Sequence, residues 1–113
     1  MEAASTYAPA PTPPQHMQAL AHANRVRLAR AALKREIAAG SLECADVVRD
    51  GPWETSTMTV GELLRSQRRW CRARARKFLF GLALNENREL GRLTERQRIV
   101  LAAALESKSR ERA

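Results

Sequence analysis

The amino-acid sequence predicts an all-α protein in which five helices form a single domain behind a disordered N-terminal tail. Two observations support this prediction. From Met17 onward, apolar residues recur among alanines with the spacing of amphipathic helices, and two capping boxes later in the chain mark helix starts. The length of 113 residues allows one domain with a modest core and leaves no room for an enzyme-sized cleft between two domains.

Residues 1–16 differ in composition from the rest of the chain. The segment MEAASTYAPAPTPPQ contains Pro9, Pro11, Pro13 and Pro14 and almost no large apolar side chain, so burial cannot offset the entropy cost of ordering it. We therefore predict a disordered tail over 1–16, a folded domain over 17–107 and a charged C-terminal end over 108–113. A proline-rich recognition peptide is the alternative for the tail, although the cations that usually flank such ligands are missing.

Two helices are predicted directly after the tail. The first is long and amphipathic and ends at Gly40, because glycine favours the left-handed conformation of a helix terminus. Its apolar residues are Leu20, Val26, Leu28, Leu33 and Ile37. Ser41 is placed to cap a short second helix that ends near the turn DGPW, where Trp53 is expected to cover the first two helices. The apolar side of the second helix contains Leu42, Val47 and Val48.

Capping boxes define the starts of the third and fifth helices. Thr59 with Glu62, and Thr94 with Gln97, place a hydroxyl at the N-cap and a carboxylate or amide three residues later. In this arrangement each side chain can accept a hydrogen bond from the other residue's backbone N–H. Both threonines are therefore predicted to be N-caps.

These starts fix the extents of the last three helices. The third is predicted over about 59–66, and the fourth follows a turn at 67–69 and ends near residue 82. The fifth is predicted over about 94–107, and its apolar side contains Ile99, Val100, Leu101 and Leu105. No segment requires a strand.

The fourth helix has two faces of opposite character. An apolar stripe with helical spacing is suited to packing; it consists of Cys71, Ala75, Phe78, Leu79 and Leu82. Arg69, Arg72 and Arg76 form a second stripe at i, i+3 and i+7, with Arg68 beside them, and this stripe is predicted to face outward. Arg74 lies at the margin of the apolar stripe, where its long stem can still bring the charge to water.

Positive charge is concentrated in residues 65–77, which contain seven cations and no acid. Together with a formal net charge of +8 and a sequence pI of about 11.0, this predicts an anionic partner: nucleic acid, an acidic membrane or an acidic protein. A merely solvated helix face usually interleaves acids at i+4, and this one does not. Membrane docking would pull the apolar stripe out of the core, and no apolar run is long enough to span a bilayer.

Neither catalysis nor metal binding is predicted. Cys44 and Cys71 fit no zinc spacing and are expected to be reduced packing residues. Neither His16 nor His22 has a neighbour that suggests chemistry. No nucleophile, base and orienting group converge and no glycine-rich phosphate loop is present, so we expect no cofactor and no small-molecule substrate. The N-terminal residues lack the features of a secretion signal, so a soluble cytoplasmic protein is expected.

Three segments are similar to a known family. They are RLARAALKREI in the first predicted helix, TMTVGELLR at 57–65 and LGRLTERQR at 90–98. They resemble RARAELK, KMKVSALLE and LRGLGDRQR of the actinobacterial type of integration host factor, a small nucleoid-associated protein with a helix-two-turn-helix domain that is also met in phage relatives. The resemblance covers residues from about 17 to 106, and it needs no gap between 57 and 98.

The resemblance implies a non-catalytic, cytoplasmic, nucleoid-associated protein. It would bind the phosphate backbone of double-stranded DNA and bend or compact the DNA. Little sequence preference is expected because arginines that face the backbone carry no sequence information. We also expect a monomer. The residues expected to bind nucleic acid are Arg68, Arg69, Arg72, Arg74, Arg76, Lys77, Arg88 and Arg92. Trp70 is expected either to cap the core between the third and fourth helices or to stack on DNA or kink it.

The chain departs from the family pattern at two places. The family's LPKVGKVKA reads QRRWCRARA here, so Cys71 replaces a glycine that lets the backbone approach a phosphate, and extra guanidinium groups are expected to replace that contact. Glu89 places an anion where the family has a cation.

Two alternatives to DNA binding are a module that binds RNA or the ribosome and a phage-type adaptor that binds an acidic protein. A second DNA surface through Arg25, Arg27 and Arg30 stays open.

Overall fold

The computed structural model describes residues 14–111, and these fold into five α-helices without a named strand. The helices are α1 (Gln15–Ala39), α2 (Cys44–Asp50), α3 (Val60–Arg65), α4 (Arg72–Gly81) and α5 (Glu95–Glu111). Short 3-10 turns at Trp53–Thr55 and Leu90–Arg92 precede α3 and α5. The predicted all-α, five-helix fold is confirmed, and α1 begins two residues before the predicted start. The tail prediction for residues 1–13 lies outside the described residues.

Local capping signals explain most of the helix ends. Gly40 has φ +84° and its N–H bonds to the carbonyl of Ile37, so it ends α1 as predicted. The prediction for Ser41 was wrong. Its hydroxyl donates to the carbonyl of Glu36 and so helps close α1, whereas Glu43 is the residue that precedes α2. Within the four residues that connect α1 to α2, Gly40 and Ser41 therefore close the first helix, and Glu43 precedes the second.

The two predicted capping boxes form to different extents. At the start of α5 both bonds are present, because Gln97 N–H donates to the Thr94 hydroxyl at 3.1 Å and Thr94 N–H donates to the Gln97 side chain at 2.9 Å. At the start of α3 only the first of these bonds forms, from Glu62 N–H to the Thr59 hydroxyl. The Glu62 carboxylate instead forms an ion pair with Lys34 of α1.

The core lies among α2, α3, α4 and α5, with α2 packed on α5 and α3 on α4. Its most completely buried apolar side chains are Val47, Val48, Met58, Val60, Leu63, Leu64, Leu79, Leu90 and Leu101. Of the apolar residues predicted for α1, only Leu33 and Ile37 are buried, and Leu20 and Leu28 are exposed. Ile99 and Val100 of α5 are also exposed, although Leu101 and Leu105 are buried as predicted.

The loop between α4 and α5 returns alongside the start of α3. Val60 N–H donates to the carbonyl of Arg88, Gly61 N–H to the carbonyl of Glu86, and Leu90 N–H to the carbonyl of Met58, each at 2.9 Å. Gly61 allows this approach, since a Cβ there would meet the Glu86 carbonyl oxygen at 3.0 Å. Residues 85–90 are therefore fixed against α3, which decides where their side chains point relative to α4.

Arg98 of α5 holds the same loop from the other side. Its two Nη groups donate to the carbonyls of Val48 and Leu90, both at 2.8 Å. These bonds satisfy a carbonyl at the end of α2 and another in the 3-10 turn before α5. A single guanidinium thus links α2, α5 and the loop.

Candidate nucleic-acid interface

The segment between α3 and α4 contains two successive turns. Ser66 and Gln67 N–H groups bond back to the carbonyls of Leu63 and Leu64, and Trp70 N–H then bonds to the carbonyl of Gln67. Arg69, the third residue of the second turn, has φ +69°. This conformation is uncommon for a residue with a Cβ. The turns carry the chain from α3 to α4 and leave the side chains of Arg68 and Arg69 exposed.

Trp70 packs in the core between α3 and α4, which is the first of the two roles predicted for it. Only 5% of the residue is exposed, and its ring meets Phe78 edge-on with 5.2 Å between centroids. The guanidinium carbon of Arg74 lies 4.4 Å from the Trp70 ring centroid, so the margin position predicted for Arg74 corresponds to a cation–π contact. The alternative in which Trp70 stacks on DNA does not fit a side chain this enclosed.

The two predicted faces of α4 are present, with one correction. Ala75 and Leu79 are buried, and Phe78 and Leu82 pack partly buried against the core. Cys71 was wrongly predicted to belong to this stripe: it is the N-cap of α4 and is exposed. Backbone N–H groups at the start of α4, that of Arg74 first, lower the pKa of the Cys71 thiol. Cys44 is buried as predicted, and its Sγ donates to the carbonyl of Leu63 at 3.6 Å. The two cysteines form no disulfide within residues 14–111.

Arg72 and Arg76 lie on the outward face of α4, where 69% and 62% of their side-chain surfaces are exposed. Both point their Nε atoms toward Glu86 of the following loop. Arg76 Nε donates a hydrogen bond to a Glu86 carboxylate oxygen, and Arg72 Nε lies 3.7 Å from the other oxygen. Arg65, at the end of α3, adds a third guanidinium at 3.9 Å. Three cations from two helices therefore surround one carboxylate, which we call the Glu86 cluster.

Glu86 is much less exposed than the arginines above it. Only 12% of its side-chain surface is accessible. The hydrogen bond from Arg76, followed by the charges of Arg76, Arg72 and Arg65, holds the pKa of its carboxyl below the usual 4.5. Glu86 is thus a stable anion beneath the outward, basic face of α4 that contains Arg72 and Arg76.

The remaining predicted residues fall into two groups. Arg68, Arg69 and Lys77 are exposed, and within residues 14–111 their side chains form no ion pair or hydrogen bond. Arg88 and Arg92 lie together on the loop that carries Glu86. Arg88 donates to the carbonyl of Arg92 at 3.2 Å, and Arg92 Nε donates to Glu89 at 3.2 Å. The anion introduced by Glu89 is therefore partly neutralised by its neighbour.

The cations of α1 are less uniform. Arg25 and Arg27 are exposed, and Arg27 donates to the side chain of Asn24. Arg30 is engaged with the fold, because its Nε donates to the carbonyl of Glu54 at 2.8 Å and its Nη2 to the hydroxyl of Thr57.

Trp53 does not cover the first two helices, so that prediction was wrong. Its side chain is 58% exposed, and its ring lies 6.2 Å from the ring of His22 of α1, measured between centroids.

Arg65 and Glu86 belong to the Glu86 cluster but were not among the residues predicted to bind nucleic acid. Arg65 was counted among the cations but left out of the binding residues, and Glu86 was not considered. A signal for Glu86 existed: it is the only acid between residues 63 and 88, a segment with eight cations. Helical spacing could not find it, because Glu86 lies ten residues after Arg76 and outside α4.

Within residues 14–111, no group of three histidine, cysteine or acidic side chains is arranged to hold a metal ion. In the same part of the chain, no helix is long and apolar enough to cross a membrane.

Comparison with known proteins gives one informative match. No family model matches the sequence, and no curated protein matches it. The fold is similar to the chain in the solved structure of "sIHF bound to an 8bp palindromic DNA", with a TM-score of 0.67 and 23% sequence identity. The match covers 74% of this chain and 97% of the other. This chain therefore shares the fold of that sIHF chain.

Proposed function

We propose that this protein is a non-catalytic, largely sequence-independent double-stranded DNA-binding protein of the nucleoid-associated, integration host factor type. The observation that carries the proposal is the exposed basic face of α3, the two turns and α4, on a fold shared with a protein whose structure was solved with DNA. The contacting residues would be Arg65, Arg68, Arg69, Arg72, Arg74, Arg76, Lys77, Arg88 and Arg92.

The mechanism follows from charge and geometry. Guanidinium groups on a helix face and a turn can donate paired N–H hydrogen bonds to phosphate oxygens. Each such contact releases a condensed counterion from the duplex. Contacts to phosphate carry no base information, so unrelated duplexes should bind alike. The proposal also includes bending or compaction of DNA, a nucleoid location and a relation to phage proteins, all through the family resemblance. A monomeric state is a further part of the proposal.

A gel-shift series at increasing salt tests the proposal. If about five phosphates are neutralised, log affinity should fall against log salt with a slope of roughly −4 to −5. Affinity that does not change with salt would contradict the electrostatic mechanism. A preference of ~1000-fold for one duplex would identify a specific regulator instead.

Two further arms of the same series separate the alternatives. Duplex RNA of the same length tests an RNA- or ribosome-binding module, and an acidic peptide tests an adaptor. Tighter binding to either than to duplex DNA, at equal salt, would replace the proposed function. Fluorescence energy transfer between the labelled ends of a duplex then measures bending: shorter end-to-end distance on binding is expected.

A further inference from the structure

The Glu86 cluster suggests a role for an acid inside a basic interface. We infer that Glu86 is a positioning residue for DNA binding: it orders Arg72 and Arg76 so that their remaining N–H groups are presented to phosphates. This inference rests on the proposed function and extends it to a residue that does not itself contact the DNA.

Crowding of like charges creates the need for such a residue. Residues 65–77 contain seven cations, and long arginine side chains that repel one another and make no contacts would sample many rotamers. Each arginine that grips a phosphate must then lose that freedom on binding, which weakens the complex. Arginines that are already held in one orientation lose less.

The loop provides a fixed anchor for the carboxylate. The carbonyl of Glu86 accepts the N–H of Gly61 at 2.9 Å, and the side chain of Asn85 accepts the N–H of Asn87 at 2.8 Å. Backbone on both sides of the Glu86 side chain is therefore tied down. The carboxylate can hold an arginine in place because it is itself attached to a bonded loop.

The geometry leaves the arginines able to bind. Both Arg72 and Arg76 turn Nε toward Glu86, which leaves the four N–H bonds of each pair of Nη groups for another acceptor. The carboxylate is 12% exposed beneath side chains that are 62% to 69% exposed, so a phosphate arriving from solvent meets the guanidinium groups first. Three cations around one anion keep a local charge of about +2, which still attracts phosphate.

Two variants of the full chain test the inference by the order of their affinities. Glu86→Gln removes the charge and keeps an oxygen that can accept from Arg76, whereas Glu86→Ala removes both. Both variants are one unit more positive than the wild type, so net charge alone predicts that they bind DNA more tightly. Positioning predicts the opposite: wild type tightest, Glu86→Gln weaker, and Glu86→Ala weaker by about 5- to 10-fold at about 0.15 M salt.

Glu106→Gln and Glu106→Ala are the matched controls. Glu106 pairs with Arg49 between α5 and α2, and its loss changes the net charge by the same amount. We expect these controls to stay within about twofold of the wild type, since salt screens distant charges. Circular dichroism at the assay temperature establishes that every variant is folded, and Glu86→Ala should also lose the slow water exchange of the Arg76 Nε proton seen by NMR.

The outcomes are separable. If the wild type binds duplex DNA and either Glu86 variant binds as tightly or more tightly, the positioning role is overturned and the proposed function stands. An equal loss in the Glu106 controls overturns it as well. If the wild type itself does not bind duplex DNA, the proposed function fails and the inference falls with it.

Discussion

Arg98 and Arg76 lie on consecutive helices of one small domain, yet their guanidinium groups have different surroundings. Arg98 donates to two backbone carbonyls on separate elements and is only partly exposed. Arg76 shares a single carboxylate with two other arginines and keeps 62% of its side-chain surface in solvent. The same contrast separates Arg30, which bonds to the turn before α3, from Arg68 and Arg69.

A count of cations therefore does not identify a binding surface. Net charge includes arginines that hold the fold and arginines that remain available to a partner. What distinguishes these arginines is the acceptor. Arg98 and Arg30 donate to backbone carbonyls of other elements, whereas Arg72 and Arg76 share one acid. Arg68 and Arg69 face solvent. If the division is right, substitutions in the two groups should affect different measurements.

The largest expected effect concerns the packing that supports the basic face. Leu79→Ala removes a fully buried side chain of α4 and should lower the free energy of unfolding by about 3 to 5 kcal/mol, measured by urea titration. Phe80→Ala, one residue later and 85% exposed, is the control and should change it by less than about 0.5 kcal/mol. Similar losses from both would show that the faces of α4 are wrongly assigned.

The second largest effect is expected for Arg98, an arginine that bonds to backbone carbonyls of the domain. Arg98→Ala removes two charge-assisted hydrogen bonds and leaves the carbonyls of Val48 and Leu90 without them, so we expect a loss of about 2 to 3 kcal/mol in unfolding free energy. Arg96→Ala on the same helix, exposed and without such bonds within residues 14–111, should be nearly neutral. Unchanged stability of Arg98→Ala would remove the distinction between the two arginine groups.

Substitutions on the basic face should change DNA affinity more than stability. Replacing Arg72 and Arg76 by Gln should weaken DNA binding by about 1 to 3 kcal/mol for the pair and reduce the salt slope by about 2, equally for unrelated duplexes. Because both arginines pair with Glu86, a small decrease in melting temperature is also expected. Replacing Arg96 and Arg110 of α5 by Gln changes the charge equally; if it weakens binding as much, location on the face does not matter.

The smallest expected effect is the pH dependence of the Glu86 cluster. The pKa of Glu86 is lower in the folded protein than its usual 4.5, so its contribution to stability is present above the unfolded value and is lost as pH falls through the folded one. Wild type should therefore melt above Glu86→Gln at pH 6 to 7. The difference should shrink below about pH 4.5 and then close. A difference independent of pH would show that the Glu86 charge does not stabilise the fold.

Local signals in the sequence were sufficient where structure depends on residues within about one helical turn. Gly40 ends α1, Thr94 and Gln97 start α5 with both bonds of the capping box, and the buried positions of Ala75 and Leu79 follow from their spacing. The outward position of Arg72 and Arg76 follows from the same spacing. In each case the deciding contacts lie between neighbours in the chain.

Only the tertiary structure decided which surfaces are covered and which charges meet. Leu20 and Leu28 of α1, and Ile99 of α5, have the pattern of core residues and are exposed, because no other described element packs against those faces. Glu86 reaches Arg65, Arg72 and Arg76 because the loop after α4 folds back and bonds to the start of α3, where Gly61 leaves room for it. Such a contact depends on the path of the whole chain, and periodicity within a single helix contains no information about it.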